Sequence, residues 1–118
     1  MGYDLEGKGG SFRWQFDDWP AVLRLAQDYG WRPSGTILLT GRGWRYDPYW
    51  CRAYDSNDGQ MVMQTDALRL AVALRKAVRD HLAHPRKKKL AKFMDGLGGV
   101  EHLMEFAKFC KAGPFRIF

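Results

Sequence analysis

The residues with the most pointed chemistry are cationic. Arg86-Lys87-Lys88-Lys89 and Lys92 follow Pro85, and Arg69, Arg75, Lys76 and Arg79 precede it. Nine basic residues thus stand between Arg69 and Lys92 against one acid, Asp80, a local charge of +8 in a chain whose total is +6. The remainder of the chain is therefore close to neutral at −2, so the positive field is local rather than general. Lysines so arranged suit phosphate contact, in which bound counterions are released and binding falls steeply with salt. Trp44 and Tyr46 could offer stacking surfaces beside them. The same lysines also suit a solvated junction near a helix C-terminus, where cations complement the dipole. No helix-turn-helix, zinc-finger or RNA-recognition signature accompanies the charge.

The other reactive residue types form weaker constellations. His81 and His84 stand three apart, but zinc needs three or four ligands and no nearby residue completes the set. Residues 55–59 evoke a calcium loop, yet Gly59 arrives one position early for an EF-hand, and a turn explains the run better. Cys51 and Cys110 lack a nucleophile signature and read as small buried hydrophobes, reduced rather than bridged. Asp17 and Asp18 read as helix-capping residues rather than a catalytic carboxylate pair, and the glycines around Lys8 lack phosphate-loop spacing. No catalytic constellation, metal site or cofactor is implied.

The elements that would position these residues follow from periodicity. In residues 11–16, Phe12, Trp14 and Phe16 alternate with Arg13 and Gln15, a half-buried strand. Asp17-Asp18-Trp19-Pro20 opens a helix whose face carries Val22, Leu25, Ala26 and Tyr29, closed by Gly30 and Pro33. Residues 36–40 read as a short strand and 41–48 as an irregular loop. Residues 49–54 and 60–63 flank Asp58-Gly59 as the arms of a hairpin. Thr65 or Asp66 caps the longest helix, with Ala67, Leu70, Ala71, Leu74, Ala77, Val78, His81 and Leu82 on its apolar stripe. Pro85 stops that helix at His84. A shorter helix over 86–95 presents Leu90, Phe93, Met94 and Leu97. A last helix over 100–111 buries Val100, Leu103, Met104, Ala107 and Cys110. Residues 115–118 alternate as a closing strand, whereas the glycine-rich residues 1–10 read as a flexible N-terminal loop.

A chain of 118 residues is one domain's length and can bury about 65% of the surface its unfolded form exposes. The irregular order of strands and helices predicts a single α+β domain, a small and mainly antiparallel sheet packed by three or four helices. No apolar run approaches the roughly 20 residues of a membrane span. The first ten residues carry acids rather than an apolar stretch, so a cytoplasmic location without a secretory signal is expected.

Met1-Gly-Tyr-Asp-Leu5, Trp19-Pro20, Tyr29-Gly-Trp-Arg-Pro33, Ser56-Asn-Asp-Gly-Gln60 and Phe109-Cys-Lys-Ala-Gly-Pro-Phe-Arg-Ile117 resemble a group of small bacterial and phage-type proteins. The resemblance leaves residues 41–47 and 86–92 without counterpart, carries no functional residue, and implies only a bacterial or phage cytoplasmic protein.

The functional expectation is a non-catalytic binding module that engages another macromolecule. The leading reading is a protein partner held by aromatic loops and the hairpin, through Trp44, Tyr46, Tyr49, Tyr54, Asp55, Asn57 and Asp58, since aromatic side chains anchor interfaces. The second is sequence-nonspecific nucleic-acid binding through Arg79, Arg86, Lys87, Lys88, Lys89 and Lys92. An enzyme of unidentified class is third. Oligomeric state is left open.

Overall fold

Tyr3 and Leu5 are buried while Asp4 and Glu6 face solvent, so the pleat of the first strand begins at the second residue. The computed structural model describes residues 2–36 and 54–118. Its first strand, β1 (Gly2–Gly7), pairs antiparallel with β2 (Gly10–Gln15) across Tyr3–Trp14 and Leu5–Phe12. The expected N-terminal loop is therefore a strand in the middle of a sheet. Its glycines serve close approach rather than freedom. A Cβ on Gly2 would stand 2.6 Å from the Trp14 carbonyl oxygen, and one on Gly7 2.6 Å from that of Pro114.

Helix α1 (Asp18–Asp28) follows, then β3 (Met61–Val62), α2 (Gln64–Ala83), α3 (Lys88–Gly96), α4 (Gly99–Lys111) and β4 (Phe115–Ile117). The sheet order is β2-β1-β4-β3, antiparallel throughout, so both ends of the described chain meet at its centre. Four helices and four strands among the described residues make the α+β fold expected. The expected hairpin arm at 60–63 pairs with β4, and residues 49–53, 41–48 and 37–40 lie outside the described residues. No helix among the described residues is long and apolar enough to cross a membrane.

One sheet face contributes Tyr3, Leu5, Trp14, Val62, Phe115 and Ile117 to the core. Against them pack α1 and α4, with Phe106 at the centre, its ring edge-on to Trp14 at 5.3 Å and to Trp19 at 5.8 Å. Helix α4 also packs along α2 and against α3, so its buried arc is wider than one stripe. This explains why Phe106 and Phe109 are buried although the stripe read from the sequence omitted them, and why Met104, placed on that stripe, is exposed. Leu82, in the last turn of α2, is exposed as well, and Phe16 lies past the end of β2, 58% exposed and stacked on Tyr3.

Helix ends follow the sequence signals closely. Gly30 takes φ 97° just after α1, and α2 stops at Ala83 with His84 as its C-cap, ahead of Pro85. Asp17 occupies the N-cap of α1 but makes no side-chain capping bond, contrary to expectation. Asp66 is not a cap either. It sits inside the first turn of α2, fully buried. Its Oδ1 accepts from the Ser34 N–H at 2.9 Å, and its Oδ2 accepts from the Gly35 N–H at 2.9 Å and the Tyr54 hydroxyl at 2.7 Å. Three donors and the helix N-terminus compensate the burial of this polar group.

Candidate functional site

The sites expected from the sequence separate on folding. Trp44, Tyr46 and Tyr49 lie outside the described residues. Tyr54, expected to face a partner, is fully buried: its ring stacks on Trp31 at 6.3 Å, its hydroxyl donates to Asp66, and its carbonyl accepts from Trp19 Nε1 at 2.7 Å. The sequence pattern placed Tyr54 on an exposed hairpin because its partners, residues 19, 31 and 66, are remote along the chain. Trp31 is likewise buried and donates through Nε1 to the Asp66 carbonyl at 3.0 Å. Asp55 is half-buried and its carbonyl accepts from the Tyr3 hydroxyl. Asn57 and Asp58 are exposed, on a turn fastened from beneath by Gln60. The buried Gln60 side chain accepts from the Asp58 N–H at 2.8 Å and donates to the Ser56 carbonyl at 2.6 Å.

The basic segment divides as well. Arg79, Arg86, Lys87, Lys88, Lys89 and Lys92 are all exposed, but Lys87 is engaged by an acid. Lys87 Nζ donates to both carboxylate oxygens of Asp80 at 3.0 Å. Asp80 also accepts from the Tyr29 hydroxyl at 2.5 Å, and His84 Nδ1 stands 3.0 Å from its Oδ1. These donors, Tyr29 first and Lys87 second, hold the Asp80 carboxyl down at about 2. Burial, then the bond to Asp80, pushes the Tyr29 phenol up to about 12. The network ties the end of α1 to the last turn of α2 and to the turn that launches α3.

Beside this network lies an open groove between α1 and α3, which pack on α2 and α4 respectively rather than closely on each other. Its two halves meet at Lys89 and Phe93. One, about 420 Å³, is lined by Ala21, Gly96 and Leu97, with Asp18 and Lys92 at its edge. The other, about 450 Å³, is lined by Leu25, Tyr29, Leu90 and Asp80, with Asp28 at its edge. A smaller hollow of about 180 Å³ shares Tyr29 and adds Arg69 and Lys76 from α2. Tyr29 thus borders both the groove, which Lys89 and Lys92 line, and the hollow that Arg69 and Lys76 line. Phe93 stands between the halves, 39% exposed. Reading Phe93 as a core residue of α3 overlooked this, although its place one residue before the buried Met94 put it at the stripe's edge.

Other candidate chemistry has no centre here. His81 is half-buried and its Nδ1 has no hydrogen-bond partner among the described residues, while His84 turns to Asp80. Among the described residues no three His, Cys, Asp or Glu side chains converge as a metal site would require. Cys110 is buried in α4, and burial pushes its thiol well above the usual range, away from the thiolate that nucleophilic chemistry uses.

Compared with protein families, with curated proteins and with solved structures, the chain matches none.

Proposed function

We propose that this chain is a non-catalytic binding module for another protein, and that it docks its partner in the groove between α1 and α3. The observation that carries this reading is the placement of Phe93. A large ring is left partly exposed over a floor of Ala21, Leu25, Leu90 and Leu97, at the meeting point of two hollows. A contiguous apolar surface with a charged rim is the usual form of an interaction site. The α3 side of the rim gives the sign of the partner there: Lys89 and Lys92 pair with no acid among the described residues, so they favour carboxylates on the surface that meets α3. The aromatic residues of the hairpin take no part in this reading, since Tyr54 is committed to the core.

The test is affinity capture from a bacterial lysate with and without nuclease, using the wild-type chain beside a Gly96→Leu variant. Gly96 lines the groove, and a Cβ there meets no heavy atom within 4 Å, so the backbone position accepts a side chain. A nuclease-resistant protein that is recovered by the wild type and lost from the variant is the expected result. Recovery indifferent to Gly96→Leu overturns the reading.

Exposure of Arg86, Lys88, Lys89 and Lys92 without acidic partners among the described residues favours nucleic acid as the second reading. Duplex DNA or structured RNA would then bind at low salt, and weaken steeply as salt rises. Changing Lys88, Lys89 and Lys92 to Ala would abolish that binding, and capture would become nuclease-sensitive.

A further inference from the structure

Resting on the reading that the groove docks a protein, we propose that its occupant is an amphipathic helix with acidic side chains along the flank that faces α3. Three features of the groove select this shape and this charge.

The first is spacing. Ala21 floors one half and Leu25 the other, so the two hollows are one helical turn apart along α1, a rise of about 6 Å. A helix lying alongside α1 presents apolar side chains at i and i+4 with that same repeat, one entering each side of Phe93. The second is backbone satisfaction. Both walls are helices whose N–H and C=O groups are used internally, except at their ends. An extended peptide laid over Ala21, Leu25 and Phe93 would bury its own N–H and C=O groups without partners. A helix satisfies its backbone itself and needs only side-chain contact, the helix-in-groove mode.

The third is charge asymmetry. Lys89 and Lys92 stand on the α3 wall, whereas Asp18 and Asp28 stand on the α1 side. Asp80, at the far end, is already engaged by Tyr29, His84 and Lys87. The occupant therefore carries Glu or Asp on its α3 flank and neutral or basic residues on its α1 flank. Gly96 leaves room at the Asp18 end for the helix to approach closely.

The test is fluorescence anisotropy with stapled synthetic helices of about 14 residues, near the length at which isolated helices become stable. One carries Leu at i, i+4 and i+7, with Glu along one flank and Lys along the other. A second exchanges the Glu and Lys flanks relative to the direction of the chain. A third has the composition of the first but carries central prolines that keep it extended. One flank arrangement is expected to bind at least about tenfold more tightly than the other, with the extended peptide weaker than both. Gly96→Leu should weaken the preferred peptide by about tenfold. Lys89→Glu with Lys92→Glu makes both walls acidic and should therefore erase the preference between the two helices and weaken the preferred one by about tenfold or more, and circular dichroism of both variants checks that the fold is retained.

Equal affinity for the two helices, equal binding of the extended peptide, indifference to Gly96→Leu, or binding by none of the peptides overturns the proposal. If no helical peptide binds while lysate capture still yields a protein lost on Gly96→Leu, the helical occupant is wrong and protein docking stands. If duplex DNA binds through the lysines and no peptide does, both fall.

Discussion

Helix α2 carries an aspartate near each end, and both accept a hydrogen bond from a tyrosine hydroxyl, but the two sites are built to opposite ends. Asp66 is fully buried, takes Tyr54 at 2.7 Å, and also accepts from two consecutive backbone N–H groups. Asp80 keeps 22% of its side chain exposed, takes Tyr29 at 2.5 Å, and is completed by the exposed side chains of His84 and Lys87. The first joins the chain at residues 34 and 35 to residue 54, remote segments on either side of 37–53. The second borders the open groove. A buried, dry carboxylate fixes where the chain runs, whereas a wet one with replaceable partners leaves its surroundings open to a ligand.

The sharpest way to break this contrast is Asp66→Ala. It strands the Ser34 and Gly35 N–H groups and the Tyr54 hydroxyl, each costing about 1–3 kcal/mol if left unpaired. A loss of at least about 3 kcal/mol in urea unfolding is expected, a large share of the stability of a domain this size. A loss below about 0.5 kcal/mol would mean that water reaches the site and that its dryness is not what holds the chain.

The paired tyrosine variants sharpen the contrast further. Tyr54→Phe removes one donor from a buried carboxylate and should cost about 2 kcal/mol. Tyr29→Phe removes the equivalent bond at the surface, where water and Lys87 compensate Asp80, and the loss in the same urea experiment should be smaller. If the two losses are equal, exposure is not what separates the two sites.

How much of this was legible follows from sequence distance. The alternation of Phe12 and Trp14, the stop of α1 at Gly30 and the stop of α2 before Pro85 are local signals, and the structure follows them. Strand β1 was hidden although Tyr3 and Leu5 alternate with Asp4 and Glu6, because glycines usually signal loops. Here Gly2 and Gly7 answer to Trp14 and Pro114, contacts that the chain's order does not announce. Asp66 reads as a cap for the same reason, since an acid at a helix start has a local explanation, whereas the partners of its side chain lie 12 to 32 positions away. The groove was half legible. Its lysines stood out as a run, but the positions that bring Arg69, Lys76 and Lys89 beside Tyr29, and that leave Phe93 uncovered, depend on how three helices pack.

Acidity distinguishes the Asp80 network by sign. Its carboxyl is held down at about 2 in the fold against an ordinary value of 3.8, so its contribution is fully present above pH 4 and is lost as pH falls towards 2. Tyr29 shifts the other way, from 10 to about 12, so the contribution of its bond is present below pH 10 and is lost as pH rises through 12. The urea midpoint of Asp80→Asn should therefore lie below that of the wild type between pH 4 and 10, and the two should converge on acidification. Parallel curves down to pH 2 would show that Tyr29, His84 and Lys87 do not favour the ionised carboxylate over a neutral amide.

The smallest expected effect on stability is the one that bears most on function. Lys89 and Lys92 are exposed and make no ion pair among the described residues, so Lys89→Glu with Lys92→Glu breaks no native ion pair there. Substitutions of this kind usually change stability by less than about 0.5 kcal/mol. The new carboxylates stand across the groove from Asp18 and Asp28, however, and turn a two-signed rim into an acidic one. Unfolding should hardly register the change, while binding of any carboxylate-bearing partner should fall by about tenfold or more through like-charge repulsion. The two readouts must be taken on the same protein, because the contrast with Asp66 lies in their separation. At the buried site stability and geometry fail together; at the rim recognition fails alone. A rim variant that lost stability and binding in proportion would instead make Lys89 and Lys92 part of the scaffold, and the groove would lose its claim to be a surface kept open for a partner.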